Sequence, residues 1–255
     1  MEWRSSAPWI SDVQVEQDLL ICRVLISLFS NKLIAENLAF RGGTALHKLF
    51  LKPPLRYSED VDLVQVKAGP IGPVMNAIHE TLDSVFGTPR RKQAEDSMAL
   101  IYRNDSEIPP VMPMKLKLEI NTREHFSVLG YQDFPFVVES RWYSGSCKIK
   151  TYSLEELLAT KLRALYQRRK GRDLFDLWLG LTFGKANPAE IREIFQKYME
   201  AEGHSVSRKE FRENVTAKMK TQAFLADTDN LLRPAIKYDP QEAALVIDQR
   251  LLQLL

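Results

Sequence analysis

The sequence predicts an α/β (α+β) protein in which the N-terminal half forms a sheet and the C-terminal half is helical. Residues 98–103 and 114–123 alternate apolar and polar side chains, the period expected of half-buried strands. After Ser153 the apolar side chains recur at helical spacing instead. The predicted boundary therefore falls near Tyr152, with a first domain over residues 1–152 and a second over residues 153–255.

The elements of the first half follow from periodicity and from turn residues. The predicted helices cover residues 11–31, 34–36, 44–51 and 73–86, and the predicted strands cover residues 38–41, 60–66, 98–103, 114–123, 136–139 and 147–151. No internal repeat or low-complexity tract interrupts the chain.

A glycine pair separates the first predicted strand from a helix. Gly42 and Gly43 let the backbone approach a ligand closely, and a helix that begins after them offers free N–H groups to an anion. Thr44 can cap that helix or donate its hydroxyl. The spacing matches neither a P-loop nor a dinucleotide fingerprint. The pattern therefore indicates a phosphate cradle, with a simple tight turn as the alternative.

Two aspartates open the strand that follows. Asp60 and Asp62 are two residues apart, so in a strand their carboxylates share one face, roughly 7 Å apart. Such a pair suits a divalent metal ion that polarises a phosphate chain. Arg56 would add a cation to the same site. The alternative is an acidic turn at the start of a strand, since aspartate is a common turn residue.

These residues resemble the first motif of a known family. The run FRGGTALHKL at residues 40–49, followed by RYSEDVDL at 56–63, is similar to the AbiEii/AbiGii-type nucleotidyltransferase toxins, a branch of the DNA polymerase β-like superfamily that includes the mycobacterial MenT toxins. A second block, LEELLATKLRAL at 154–165 and RDLFDL at 172–177, agrees with it. The resemblance implies a polymerase β-like nucleotidyltransferase core with a mixed sheet.

Transfer of a nucleoside monophosphate from an NTP to a hydroxyl is the activity expected from these features, with Mg²⁺ or Mn²⁺ as cofactor. The resemblance further implies an RNA acceptor, namely the 3′ end of tRNA, growth arrest as the outcome, and a cognate antitoxin as partner. The expected catalytic residues are Asp60, Asp62, Lys161 and Asp176. The expected substrate-binding residues are Gly42, Gly43, Thr44, Arg56, Ser58 and Arg172.

A polymerase β-like site generally takes a third carboxylate from a strand beside the acidic pair. Glu119 lies on the polar face of the strand predicted at 114–123 and would join Asp60 and Asp62 as a metal ligand. Two alternatives stay open. Lys117 can form a charge pair with Glu119, and Glu124 is a nearby competitor.

Lys161 lies near the middle of an apolar stripe on the helix after Ser153, whose start is predicted as a capping box with Glu156. A buried ammonium is costly unless it is paired. Lys161 therefore either snorkels to water or faces a cleft where it meets triphosphate or the metal-site carboxylates. On this pattern Lys161→Met is expected to keep or raise stability.

Asp176 lies four residues after Arg172, so an ordinary helix-face salt bridge is one interpretation. In the family pattern this aspartate instead belongs to the active site and orients Lys161 or the attacking group.

Composition limits the remaining classes. Two cysteines cannot form a disulfide framework, no secretion signal is visible, and the longest apolar stretch is about 11 residues, too short for a membrane span. We therefore expect a cytoplasmic protein.

Residues 141–175 hold nine Lys or Arg against three Asp or Glu, a local excess of positive charge. This segment either binds a polyanion or is a solvated helix surface.

Other functions stay open on the sequence. Nucleotidyl transfer to a protein or to a small molecule such as an aminoglycoside uses the same chemistry. A catalytically silent nucleotide- or RNA-binding protein would keep the fold without the reaction, although the intact aspartate pair and Lys161 argue against it.

Overall fold

A computed structural model describes residues 2–255 of the chain, which divides into two compact units. The first contains the residues up to Leu49 together with Arg56–Tyr152. The second contains Ser153–Leu255 and also the short segment Phe50–Leu55. Nothing in the residue pattern of that proline-containing segment indicated that it packs with the second unit.

The first unit combines helices with one sheet. Its helices are a 3₁₀ turn at Glu2–Ser5, α1 at Asp12–Ser30, α2 at Lys32–Asn37, α3 at Gly42–Ala45 with a π-helical continuation at Leu46–Phe50, and α4 at Gly72–Phe86. Its strands are β1 at Leu38–Arg41, β2 at Asp60–Gln65, β3 at Arg90–Gln93, β4 at Ser97–Asp105, β5 at Pro113–Asn121, β6 at Gln132–Glu139 and β7 at Ser144–Thr151.

The seven strands form one sheet in the order β3-β4-β5-β2-β1-β7-β6. β2 pairs with β5 and β1 pairs with β7 in parallel, whereas the other neighbours are antiparallel. The sheet is therefore mixed, as the family resemblance implies. β2 lies between β1 and β5, so the strand that begins with Asp60 is held by hydrogen bonds on both edges.

Alternate residues of β5 are buried, as the period-two pattern of its sequence predicts. Met114, Leu116, Leu118 and Ile120 are at most 5% exposed, whereas the intervening side chains reach solvent more. The apolar face of β5 therefore contributes to the core. β3 is the strand that the sequence did not predict. Its residues RRKQ are all exposed, so they carry no apolar alternation from which a strand could be recognised.

The second unit is helical among the residues described. Its helices are α5 at Leu154–Gln167, α6 at Gly171–Thr182, α7 at Pro188–Ala201, α8 at Arg208–Met219, α9 at Gln222–Leu225 and α10 at Pro240–Arg250, with 3₁₀ turns at Ala226–Thr228 and Leu252–Leu254. Within residues 2–255, no helix is long and apolar enough to cross a membrane.

The predicted capping box at the start of α5 has one half as expected. The Ser153 hydroxyl accepts a hydrogen bond from the Glu156 backbone N–H at 3.1 Å. The Glu156 side chain is fully buried, and its carboxylate accepts a 2.8 Å hydrogen bond from the Tyr198 hydroxyl of α7. Glu156 therefore joins two helices.

Candidate active site

The paired aspartates lie on one face of β2. Asp60 and Asp62 are partly exposed, whereas Val61 and Leu63 between and beyond them are buried on the opposite face. This alternation is the strand geometry that the sequence predicts. Because β2 is an inner strand, the backbone that carries both carboxylates is fixed.

Gly42 and Gly43 lie directly against side chains of the acidic loop, the segment of residues 56–62 that runs into the start of β2. Gly42 has a φ of +78°, and a Cβ there would overlap the Asp62 carboxylate, with its Cγ at only 2.9 Å. A Cβ at Gly43 would overlap the Arg56 guanidinium and would lie 3.4 Å from the Ser58 hydroxyl. Both positions therefore require glycine, the first by conformation and contact and the second by contact. The helix begins at Gly42, two residues before its predicted start at Thr44.

Thr44 ties the glycine pair to the acidic loop. Its hydroxyl lies 2.8 Å from the Ser58 hydroxyl and also donates to the Asp60 carbonyl. Arg56 is only 2% exposed and donates to the Tyr57 carbonyl at 2.9 Å. Of the two roles that the sequence allows Thr44, its hydroxyl donates rather than caps the helix, and it joins α3 to the acidic loop.

Glu119 is the strand partner of Asp62 across the parallel pair of β2 and β5. Its carboxylate accepts a hydrogen bond from Lys117, the charge pair that the sequence left open. Burial lowers the pKa of Lys117, but bonding to Glu119 and the charges of Asp60 and Asp62 outweigh burial, so the pKa is raised. An ammonium therefore lies among the three carboxylates. Glu124 instead pairs with Arg41 at 2.7 Å.

The donor set suits a hard divalent cation. Asp60, Asp62 and Glu119 offer only carboxylate oxygens, the ligands that Mg²⁺ prefers. As they stand in residues 2–255, no three acidic, histidine or cysteine side chains are close enough to form a metal site. The Lys117 ammonium is the positive charge that interacts with all three carboxylates. The chemistry of the donor set therefore fits such an ion at Asp60 and Asp62, whereas Glu119 is bonded to Lys117.

Lys161 lies in the second unit, and its ammonium is buried between two carboxylates. Its Nζ is 3.0 Å from Asp173 and 3.0 Å from Asp176, and both aspartate side chains have no solvent exposure. The interpretation that Lys161 snorkels to water is wrong. Contact between Lys161 and Asp176 agrees with the orienting role that the resemblance implies for this aspartate.

Asp173 is a member of this cluster that sequence reasoning did not select. It accepts two hydrogen bonds from the Arg168 guanidinium, at 2.7 and 2.9 Å, besides its pair with Lys161. Burial alone would raise the pKa of the Asp173 carboxyl, but Lys161 and Arg168 hold it below its usual value. Its position three residues before Asp176, on the same helix face, was the available signal.

Arg172 and Tyr238 complete the surroundings of α6. The Arg172 backbone N–H donates to Asp227 at 3.1 Å, and its guanidinium lies 3.9 Å from the same carboxylate. The Tyr238 ring packs edge-on against Phe175 at 4.9 Å. Burial, and after it the charge of Asp176, raises the pKa of the Tyr238 hydroxyl.

Solved structures of nucleotidyltransferases resemble this chain in fold. MenT4, a nucleotidyltransferase toxin from Mycobacterium tuberculosis H37Rv, matches with a TM-score of 0.70 and 18% identity over 95% of this chain and 84% of that one. A candidate nucleotidyltransferase from H. pylori matches at 0.58 and 19% identity, with 96% of each chain covered. JHP933 from Helicobacter pylori matches at 0.55 and 18% identity, covering 95% and 93%. These likenesses support the fold.

The family follows from the sequence. The sequence has no significant match among curated proteins. Residues 23–245 match the model of the family described as nucleotidyl transferase AbiEii toxin, type IV TA system. Since this match spans most of its length and includes both motif blocks, the chain belongs to the AbiEii nucleotidyltransferase toxin family and is a nucleotidyltransferase.

Proposed function

We propose that the protein transfers a nucleoside monophosphate from an NTP to a hydroxyl of RNA, in a reaction that depends on Mg²⁺ or Mn²⁺. The observation that carries the proposal is the packing of Gly42 against Asp62 and of Gly43 against Arg56. It joins bare backbone, a carboxylate and a guanidinium within one loop cluster, the groups that binding of a metal-bound triphosphate requires.

Each residue has a distinct role in this proposal. Asp60 and Asp62 would hold the metal, and Glu119, which is bonded to Lys117 in the structure, would be a third ligand. A metal bound there supplies a Lewis acid to the phosphate being transferred and to the leaving pyrophosphate. The backbone at Gly42 and Gly43, together with Arg56, orients the phosphate chain.

Charged side chains of the second unit also have roles in the proposal. By the resemblance, Lys161 and Asp176 belong to the active site, and their 3.0 Å contact supports a role for Asp176 in fixing the direction of the Lys161 ammonium. Arg172 and the hydroxyls of Thr44 and Ser58 are further substrate contacts in this proposal.

The biological setting is part of the proposal and rests on the family and on the resemblance of the two motif blocks. The family description names a type IV toxin–antitoxin system, and MenT4 is a toxin. We therefore propose that the acceptor is the 3′ end of tRNA, that its modification arrests growth, and that a cognate antitoxin opposes it.

The direct test is to incubate the protein with each labelled NTP, Mg²⁺ and total RNA or total protein, and to follow the label. Label in tRNA that is removed by trimming its 3′ end supports the proposal. Label in protein or in a small molecule contradicts the RNA acceptor and leaves nucleotidyl transfer intact.

Asp60→Asn and Asp62→Asn test the metal ligands. Each should reduce transfer by about 100-fold or more, because a lost ligand removes several kcal/mol of transition-state stabilisation. Both should also weaken Mn²⁺ binding, measured by electron paramagnetic resonance without NTP. Glu59→Gln is the matched control, since Glu59 is exposed and adjacent in sequence. Variants that keep wild-type melting, Mn²⁺ binding and labelling would refute the assignment.

A further inference from the structure

The first unit contains a cavity that the proposed reaction does not use. It has a volume of about 190 Å³ and lies between α1, the loop after β4 and the hairpin between β6 and β7. Aromatic and aliphatic side chains form most of its wall: Trp3, Val15, Leu19, Leu20, Ile108, Trp142 and Tyr143. Trp142 is 64% exposed, so one of the largest apolar surfaces of the unit faces solvent at this point.

Three charged residues also line the cavity, namely Glu16, Arg23 and the exposed Glu107. One oxygen of Glu16 accepts a 2.8 Å hydrogen bond from the Glu107 backbone N–H. Its other oxygen, Oε2, is buried and has no hydrogen-bond partner among the residues described. The Arg23 guanidinium lies over the Tyr143 ring, 5.7 Å from its centre. The cavity therefore offers a buried acceptor that needs a donor, and a cation beside it.

The walls are fixed before any ligand arrives. The Ser140 hydroxyl accepts hydrogen bonds from the backbone N–H groups of Trp142 and Tyr143, at 3.3 and 3.1 Å. In the opposite loop the Ser106 hydroxyl accepts from Met112 at 2.9 Å and donates to the Ile108 carbonyl at 3.3 Å. Such turns fix the backbone at Trp142 and at Ile108, which lowers the entropy lost on binding.

We propose that this cavity binds one unstacked, amino-bearing nucleobase, namely adenine, cytosine or guanine, of the RNA acceptor. The base stacks on Trp142. Its exocyclic amine donates to Glu16 Oε2, and an adjacent ring nitrogen or carbonyl oxygen accepts from Arg23. The inference rests on the proposed RNA acceptor and adds to it a second contact away from Asp60 and Asp62.

Charge distinguishes a base from other occupants. A lysine or arginine side chain of a protein partner would satisfy Glu16 but would offer no acceptor to Arg23, whereas a base offers both a donor and an acceptor. A phenylalanine side chain would leave Glu16 Oε2 buried without a donor. Uracil presents two carbonyl oxygens and a single N–H, so the carboxylate disfavours it. An amino-bearing base can donate a hydrogen bond to Glu16 and accept one from Arg23.

Binding of pentaribonucleotides tests the proposal without catalysis. Wild-type protein should bind UUAUU, UUCUU and UUGUU more tightly than UUUUU in fluorescence anisotropy. Trp142→Ala should weaken this binding by about 5- to 150-fold, the range that one base–aromatic stack contributes, whereas Trp142→Phe should retain part of it. Phe183→Ala is the control, because Phe183 is an aromatic side chain with the same 64% exposure. It should bind like wild type.

Glu16→Gln tests the hydrogen bond. The amide can still accept from Glu107 while it presents an NH₂ group in place of Oε2, so the preference over UUUUU should disappear or reverse. Equal binding of all four oligonucleotides by wild type, or wild-type binding by Trp142→Ala, would overturn the cavity assignment. Asp60→Asn should bind the oligonucleotides normally while it loses transfer. Normal RNA labelling without cavity binding refutes only the cavity, whereas cavity binding without RNA labelling refutes only the proposed reaction.

Discussion

A lysine in the middle of an apolar helix face must be neutralised or must reach water. Lys161 is neutralised by Asp173 and Asp176, each at 3.0 Å. Arg168 adds a second cation on the far side of Asp173. The four side chains form an alternating charge cluster, so each charge depends on its neighbours.

The cluster reverses the expected stability effect of Lys161→Met. The sequence predicts unchanged or higher stability, because the ammonium would leave an apolar stripe. In the structure, its removal leaves two buried carboxylates close together, which should cost about 3 kcal/mol or more. Urea unfolding of the variant at pH 7 measures this loss. Lys197→Met, an exposed lysine on α7, is the control and should change stability little. Unchanged unfolding of Lys161→Met would contradict the ion cluster.

The pH dependence of that loss has a defined sign. Because the folded pKa of Asp173 lies below its ordinary value of 3.8, the ion pair stabilises the fold fully above that value and is lost as pH falls through the lowered folded pKa. In Lys161→Met the Asp173 carboxyl loses a cationic partner, so it takes up a proton at a higher pH than in wild type. The difference in free energy of unfolding between wild type and variant should therefore be largest at high pH and shrink as pH falls from the pKa of the variant towards the lower pKa of wild type, which lies below 3.8. A difference that persists unchanged to pH 3 would contradict this assignment.

Residue types and spacing predicted part of the site, and the unpredicted part has a physical reason. Asp60 and Asp62 were recognisable because a strand fixes the relation between alternate residues. Arg168 was not, because its partner Asp173 lies across a helix break that sequence spacing does not describe. Lys117 was recognised as a partner of Glu119, but its position near both aspartates depends on the parallel register of β2 and β5.

At the scale of elements, the glycine pair that begins α3 directly after β1 is defined by its contact with the acidic loop. The sequence predicts a glycine turn, and the structure adds that its two sides are the Asp62 carboxylate and the Arg56 guanidinium. The alternation of apolar and polar residues predicted inner strands such as β5. β3 has four exposed polar residues and is held by its pairing with β4. Pairing partners distant in sequence leave no local signal.

Gly42→Ala should therefore damage the site more than the fold. The left-handed φ of +78° should cost roughly 1–2 kcal/mol with a side chain present. The new Cβ must displace the Asp62 carboxylate, so transfer should fall by about 100-fold. Gly69→Ala is the control, since no atom lies within 4 Å of a Cβ built there. Circular dichroism and labelling rates separate the two effects. Wild-type transfer by Gly42→Ala would contradict close contact between residue 42 and the Asp62 carboxylate.

At the scale of the whole molecule, the basic segment 141–175 is smaller as a binding surface than its composition indicates. Lys161 and Arg168 are committed to Asp173, Arg163 pairs with Glu202, and Lys170 lies 3.8 Å from Asp227. Reversing Arg168, Arg169 and Lys170 together would break the Lys161 cluster and could not report on RNA alone. The suitable positions are Lys148 and Arg169, which are both exposed.

If these two side chains contact RNA phosphates, acceptor binding should weaken steeply with salt, by about 0.7–0.9 log units per contact for each log unit of salt. Lys148→Glu and Arg169→Glu should each weaken RNA binding and lower that slope by about 1. NTP affinity should change little, since neither residue is among the proposed triphosphate contacts. Lys92→Glu, the same charge change at an exposed position on β3, is the control and should leave the slope intact. Salt-insensitive RNA binding, or wild-type slopes in both variants, would exclude this surface and favour a protein or small-molecule acceptor.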